Sequence, residues 1–369
     1  MVERNDEVLR LTVDQAVSQL SSAYIAMINT HTVLKRFPSV MLWGPPGVGK
    51  SQGVRQIASE IEAKTGKRAQ ITDVRLLLFN PVDLRGIPTA NADKTLAVWL
   101  KPKIFQMDAG EDVINLLFLD EISAAPQSVQ AAAYQITLDR TVGEHRLPDN
   151  CIVLAAGNRV TDRSVAYTMP KALANRLCHI EITSDYQSWR RWAADAGING
   201  MVLGFLDQNP SLLMDFDPDA QELAFPTPRS WEMVSHILNH VSKDVGAVFP
   251  LVSGCIGPAA AYELRIWSES YCKIPDVADI FAGTTVEVPT RPEILFGVCA
   301  AISEHARTHH TKQELDHLIL YMLRIPAEFR NRILFDLLQI KSIRKELQRN
   351  RIFDDWFQRA GGDWEDYGL

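Results

Sequence analysis

Cysteine is scarce and scattered. Cys151, Cys178, Cys255, Cys272 and Cys299 form no C-x-x-C pair. That spacing speaks against a disulfide framework or a thiolate zinc site, and it predicts a reducing, cytoplasmic setting. Long apolar runs are missing as well. No stretch reaches the ~18 residues needed to span a bilayer, so no membrane association is expected. The opening residues, Met1-Val2-Glu3-Arg4-Asn5-Asp6, lack the basic-then-apolar layout of a secretory signal. Positive charge is not in excess. The net charge is −7, which disfavours general polyanion binding, so nucleic acid is not an expected partner. Low-complexity tracts and internal repeats are also lacking. What remains is an ordinary globular composition spread over 369 residues. That is more than one small core holds, and roughly two or three domains are expected.

One stretch stands out from this background. Gly44-Pro45-Pro46-Gly47-Val48-Gly49-Lys50-Ser51 fits G-x-x-x-x-G-K-[ST] at every fixed position; Gln52 continues the same loop into a helix. The apolar run Val40-Met41-Leu42-Trp43 precedes it and reads as a buried strand. Val54, Ile57, Ala58 and Ile61 follow at helical spacing. Glycines let the backbone N–H groups turn around phosphate oxygens without a Cβ clash. The helix start adds partial positive charge. Lys50 supplies a point charge for the β- and γ-phosphates, and the Ser51 hydroxyl can hold Mg²⁺.

Around this motif the chain alternates strand and helix over 36–183. The expected strands are Val40–Trp43, Ile71–Arg75, Leu116–Leu119, Ile152–Ala156 and His179–Ile182. All are short and mostly apolar, as in a parallel sheet covered on both faces. Residues from about 10 to 35 read as a leading helix, with Val13, Ala16, Leu20 and Tyr24 near helical spacing. A further helix starts near Pro126, a residue suited to a first helical turn, and carries Val129, Ala132, Ala133 and Ile136 on one face. Beyond Asp185 the strand pattern stops. The rest reads as helices broken by Asn209-Pro210, by Pro226-Thr227-Pro228 and by a loop near Pro275–Pro292. The last residues form an acidic, Gly-containing tail for which partial disorder is expected.

Two more strands run out into polar residues. Leu116-Leu117-Phe118-Leu119 ends in Asp120-Glu121. A buried strand delivers both acids at its carboxyl end, where open α/β sheets bind ligands. Asp120 would hold Mg²⁺ opposite Ser51, and Glu121 would orient and polarise the attacking water. Cys151-Ile152-Val153-Leu154-Ala155-Ala156-Gly157 ends in Asn158. Its amide suits a detector of the γ-phosphate and the attacking water.

These motifs stand in one order, followed by Ala172-Leu173-Ala174-Asn175-Arg176-Leu177 before a strand and by Pro226-Thr227-Pro228-Arg229-Ser230-Trp231 in a helical region. Over about residues 36–240 the pattern resembles AAA+ ATPases of the MoxR and dynein-related group. The resemblance implies an α/β fold: an αβα core at 36–185 with a five-stranded parallel sheet in the order 5-1-4-3-2. An N-terminal helix (1–35) would precede it. A helical lid (186–245) and a helical C-terminal region with the acidic tail (246–369) would follow. It implies ATP and Mg²⁺ as ligands and a ring homo-oligomer, usually a hexamer. It also implies that Asn158 is sensor 1, that Arg176 is an arginine finger acting on a neighbour's nucleotide, and that Arg229 is sensor 2 within its own protomer. Arg159, Arg163 and Lys171 lie near the same edge as alternatives for the trans role.

The function implied is ATP hydrolysis, to ADP and phosphate, that drives remodelling, maturation or metal loading of a client protein beside a partner with a von Willebrand factor A domain. Two alternatives are the NTPase motor of a restriction-type nucleic-acid complex and a nucleotide-gated assembly scaffold. Asn80–Trp99 and Thr141–Pro148 resemble insertions that face the channel of such rings. His305, His309 and His310 have no metal-ligand spacing and read as a solvated helix face. Residues 324–351 hold eight Lys/Arg against three Asp/Glu. They lack interleaved aromatics, so pairing with the acidic tail or with a partner protein is expected before nucleic acid. Trp189, Trp192, Trp231 and Trp267 are expected in cores.

Overall fold

The computed structural model describes residues 9–162, 169, 171–271, 273–284, 286–308 and 311–359. Arg163, Cys272, His309, His310 and residues 360–369 lie outside the described residues; Asp354 and Asp355, the first acids of the expected tail, fall in the helix Arg351–Arg359. The chain divides into two compact units. The first is Met1–Ser184 with Asp217–Ala220, and the second is Asp185–Phe216 with Gln221–Leu369.

The first unit is built on a parallel sheet. Its strands are β1 (Arg10–Thr12), β2 (Val40–Trp43), β3 (Arg68–Arg75), β6 (Val113–Asp120), β9 (Cys151–Gly157) and β10 (Cys178–Thr183). Between them in sequence lie two antiparallel hairpins, β4 (Ile87–Ala90) with β5 (Ala97–Leu100) and β7 (Thr141–Val142) with β8 (His145–Arg146). The sheet order is β1-β10-β2-β9-β6-β3. This corrects the expected five-stranded sheet in the order 5-1-4-3-2. There are six strands, and the position outside β10 is filled by Arg10–Thr12, which the sequence assigned to a helix. The reason is local. Leu11 is buried beside Ile182, and Arg10 sits opposite Glu181. Thr12 then ends the strand by capping the helix α1 (Val13–Asn29). Its Oγ1 accepts the Gln15 N–H at 3.3 Å, while its own N–H donates to the Gln15 side chain at 3.0 Å.

Strand alternation sorts the core into two layers. Val40, Leu42, Leu116, Phe118, Ile152, Leu154 and Ala156 pack with α1 and α2 (Lys50–Thr65). Met41, Leu117, Leu119, Val153 and Ala155 face the other way, toward α4 (Gln127–Asp139). Each fully buried aliphatic side chain contributes about 1.5–3 kcal/mol. These layers therefore fix the register of β2, β9 and β6 and bring their carboxyl ends side by side. Between β3 and β4 lies the short helix α3 (Pro81–Arg85), and α5 (Lys171–Ala174) precedes β10. The two hairpins touch: His145 Nε2–H donates to the Trp99 carbonyl at 2.8 Å.

The second unit is helical: α6 (Tyr186–Asp195), α7 (Gly200–Gln208), α8 (Pro228–His240), α9 (Phe249–Ile256), α10 (Pro258–Tyr271), α11 (Val277–Ala282), α12 (Pro292–Thr308), α13 (Lys312–Met322), α14 (Ala327–Gln339), α15 (Lys341–Leu347) and α16 (Arg351–Arg359). The segment expected as a loop near Pro275–Pro292 holds α11, capped by the Asp276 side chain on the Ala278 N–H and closed by Gly283. Trp189, Trp231 and Trp267 are buried in one apolar cluster, with Trp192 packed on its edge. His305 lies against the Phe281 ring, 4.4 Å between centroids, rather than on a solvated face. A charged cluster is buried among these helices. Arg190 of α6 bonds Asp207 of α7 at 2.9 Å and Asp336 of α14 at 2.6 Å. Arg332 reaches Asp207 at 2.7 Å, Tyr186 donates to Asp207, and Ser303 of α12 donates to Asp336 at 2.8 Å. No described helix is long and apolar enough to cross a membrane.

Candidate active site

The Gly-rich loop leaves the carboxyl end of β2 and closes on the start of α2. Gly44 adopts φ 153°, and a Cβ there would lie 2.6 Å from the Ile182 carbonyl oxygen. Gly49, at φ 107°, occupies the N-cap of α2. Both conformations favour glycine, and the start of α2 offers N–H groups that have no partner within the helix.

Three of the sequence motifs meet there. Lys50 Nζ donates to the carbonyls of Gly44 (2.6 Å) and Pro45 (3.0 Å) and to Asn158 Oδ1 (2.9 Å). Ser51 Oγ donates to Asp120 Oδ2 at 3.1 Å. Lys50, Ser51, Asp120 and Asn158 are half-buried, and Glu121 is exposed. Anionic phosphate oxygens are stronger acceptors for an ammonium than these carbonyl and amide oxygens. Ser51 and Asp120 offer only oxygen donors, the chemistry that suits a hard divalent cation such as Mg²⁺. Among the described residues, no cluster of three or more His, Cys, Asp or Glu forms another metal site.

Glu121 sits in the left-handed region at φ 59°. Its backbone N–H donates to Asp120 Oδ1 at 2.9 Å. The turn that follows is closed by Ala124 and Ala125 N–H bonds to the Glu121 carbonyl. A further carboxylate stands nearby on β3. Burial and then the Asp120 charge push the Asp73 carboxyl above its ordinary value, with Arg75 and Arg55 partly offsetting them.

The arginines separate. Arg159 is engaged within its own chain: its Nη2 pairs with Glu181 at 2.6 Å, and its backbone N–H donates to Asp162 at 2.8 Å. Glu181 also holds Arg10 at 3.3 Å. This engagement weighs against a trans role for Arg159. Lys171 and Arg176 are exposed. Arg176 lies before the amino end of β10, whereas the Gly-rich loop leaves the carboxyl end of the parallel neighbour β2. Trp43 Nε1–H donates to His179 Nδ1 at 2.9 Å, and His179 Nε2–H donates to the Ala174 carbonyl at 2.7 Å, which links β2 to the Arg176 segment. Arg229 is exposed in the first turn of α8 in the second unit, where Thr227 and Ser230 form the helix cap.

Glu181, Ser123 and Gln130 also shape the site, and sequence reading passed over them. A Ser in a turn and a Gln on a helix carry no spacing signal, and Glu181 matters because Arg159 and, from β1, Arg10 reach it.

The fold and these contacts define a P-loop nucleotide-binding domain with a parallel sheet between helical layers. Residues 39–179, which span the Gly-rich loop, Asp120, Glu121, Asn158 and Arg176, match the ATPase family associated with various cellular activities (AAA). Similar solved structures include a proposed ATPase from Cytophaga hutchinsonii, at 18% identity over 68% of this chain and 71% of that one, TM-score 0.31. A RuvB variant from Thermotoga maritima is 15% identical over 83% of this chain and 91% of that one, TM-score 0.35. PCH-2 from C. elegans is 15% identical over 80% and 70%, TM-score 0.33. No curated protein matches the chain.

Proposed function

We propose that this protein is an ATP-hydrolysing ring motor of the MoxR type, with each nucleotide held at a seam between two copies. One observation carries the reading. Lys50, Ser51, Asp120 and Asn158 converge at the carboxyl ends of adjacent strands, while Arg176 lies toward the opposite end of the sheet. A guanidinium so far from its own Gly-rich loop suits the nucleotide of a neighbouring copy.

The loop from Gly44 to Gln52 would wrap the phosphates, and Lys50 would neutralise the β- and γ-oxygens. Ser51 and Asp120 would hold Mg²⁺, which supplies charge compensation on the phosphates when bound. Glu121 would orient the attacking water and accept its proton, worth roughly 10²–10⁴-fold in rate. Asn158 would register the γ-phosphate. Arg176 from the adjacent copy would stabilise charge in the transition state, worth roughly 10³–10⁵-fold. The Pro226-Thr227-Pro228-Arg229 motif supports Arg229 as the second phosphate sensor. The output would be remodelling, maturation or metal loading of a client, in company with a von Willebrand factor A domain protein.

Mass measurement on Glu121→Gln, with and without ATP and Mg²⁺, tests this. A nucleotide-trapped ring of several copies is expected. Arg176→Ala should bind ATP normally yet hydrolyse it at least about 10³-fold more slowly. A protein that stays a single copy under saturating nucleotide, and hydrolyses it at full speed without Arg176, would refute the proposal.

A further inference from the structure

The turn after Glu121 is pinned to the strand that carries Asn158. Ile122 N–H donates to the Ala156 carbonyl at 3.0 Å. Asn158 N–H donates to Ser123 Oγ at 2.9 Å. Ser123 is 5% exposed. It can come this close because residue 157 is glycine: a Cβ there would lie 2.7 Å from Ser123 Oγ and 2.8 Å from Met41 Cε. Behind the turn, buried Gln130 of α4 donates to the carbonyls of Ser123 (3.2 Å) and Ala125 (2.9 Å). Tyr134 in turn donates to Gln130 Oε1 at 3.0 Å. On the other side, the Asn158 side chain accepts from Lys50 at 2.9 Å. One chain of contacts thus runs from α4 through Ser123 to the phosphate-binding lysine.

Glu121 needs such support. Its left-handed backbone is a conformation that non-glycine residues keep only where the surroundings over-determine it. The bonds from Ile122 and to Ser123 are what over-determines it here.

We propose that Ser123 is a positioning residue for hydrolysis. Its hydroxyl locks the Glu121 turn to the Asn158 backbone, so that the water-orienting carboxylate and the phosphate-sensing amide are held as one rigid piece. The inference rests on the ATPase reading above, and it adds the group that sets the distance between the two catalytic side chains. Without the hydroxyl, the Asn158 N–H loses its buried acceptor, and the amide and carboxylate become free to drift relative to each other. Small misplacements of this kind cost rate far more than they cost binding.

The test is steady-state ATP hydrolysis by the full chain, with thermal melting of each variant alongside. Ser123→Ala and Ser123→Cys, which lack a good oxygen acceptor, should lower kcat on the order of 10-fold with KM for ATP nearly unchanged. Ser123→Thr keeps the hydroxyl and should recover most of the rate. A hydroxyl that only fills space would lower the melting temperature and leave kcat alone. The proposal fails if Ala and Cys keep the wild-type kcat, if KM rises in step with the loss, or if a Thr variant melting like wild type is as slow as Ala. Wild-type protein that turns over no ATP sinks the parent reading; active wild type with an unaffected Ser123→Ala sinks only this one.

Discussion

Asp73 is the side chain in the site whose charge opposes its surroundings. Burial and the neighbouring Asp120 both raise its pKa. A carboxyl held above its unfolded value binds its proton more tightly in the native state. It therefore withdraws stability as pH rises through the folded pKa, and it withdraws none below the unfolded value of about 3.9. Asp73 is nevertheless solvent-exposed, so its charge is screened: Asp73→Asn should raise the melting temperature near neutral pH only slightly, and the gain should shrink toward about pH 4. Melting curves of both proteins across that range check this; a gain independent of pH would mean that the charge is not the cause. At this scale the Gly-rich loop was legible, because only glycine accepts the backbone that Gly44 and Gly49 adopt. Asp120 and Asn158 were legible because apolar runs end at them. Ser123 was not: its partner Asn158 is 35 positions away and becomes a neighbour only once β6 lies beside β9.

Among the elements, the five strands of the main sheet from Val40 onward announced themselves as short, mostly apolar runs, and the structure lengthens several of them by one to three residues at an end. The strand β1 did not. Three residues are too few for a period, and their apolar neighbours fit the helix that follows equally well. The boundary is set by Thr12, whose hydroxyl caps α1 while its backbone closes the last pairing with Thr183. Thr12→Ala should cost about 1 kcal/mol, the usual worth of an N-cap, measured by urea unfolding. A loss well below that would show that α1 is held by packing on α2 alone. The hairpins at Ile87–Leu100 and Thr141–Arg146 were read as insertions. Their mutual contact through His145 and Trp99 had no sequence signal, since it joins a side chain to a carbonyl 46 residues away.

For the molecule as a whole, the helical second unit buries a charged centre at Arg190. Burial alone would lower the pKa of this guanidinium, but Asp336 and Asp207 outweigh it and keep the group charged. The cluster joins helices on both sides of residue 245, from α6 and α7 to α12 and α14. Arg190→Met takes the bonded guanidinium from buried Asp336 and leaves Asp207 with Arg332 and Tyr186, and should destabilise the second unit by about 3–5 kcal/mol. Hydrogen exchange should then accelerate together in α6, α7, α12 and α14; acceleration confined to α6 would refute the linkage. The first unit has a different vulnerability, in the three residues that flank β10. A shortened version starting at residue 13 would strip that strand's outer rim of its hydrogen-bonding mate. A naked rim of this kind recruits passing extended peptides, so such a truncation would be prone to clump.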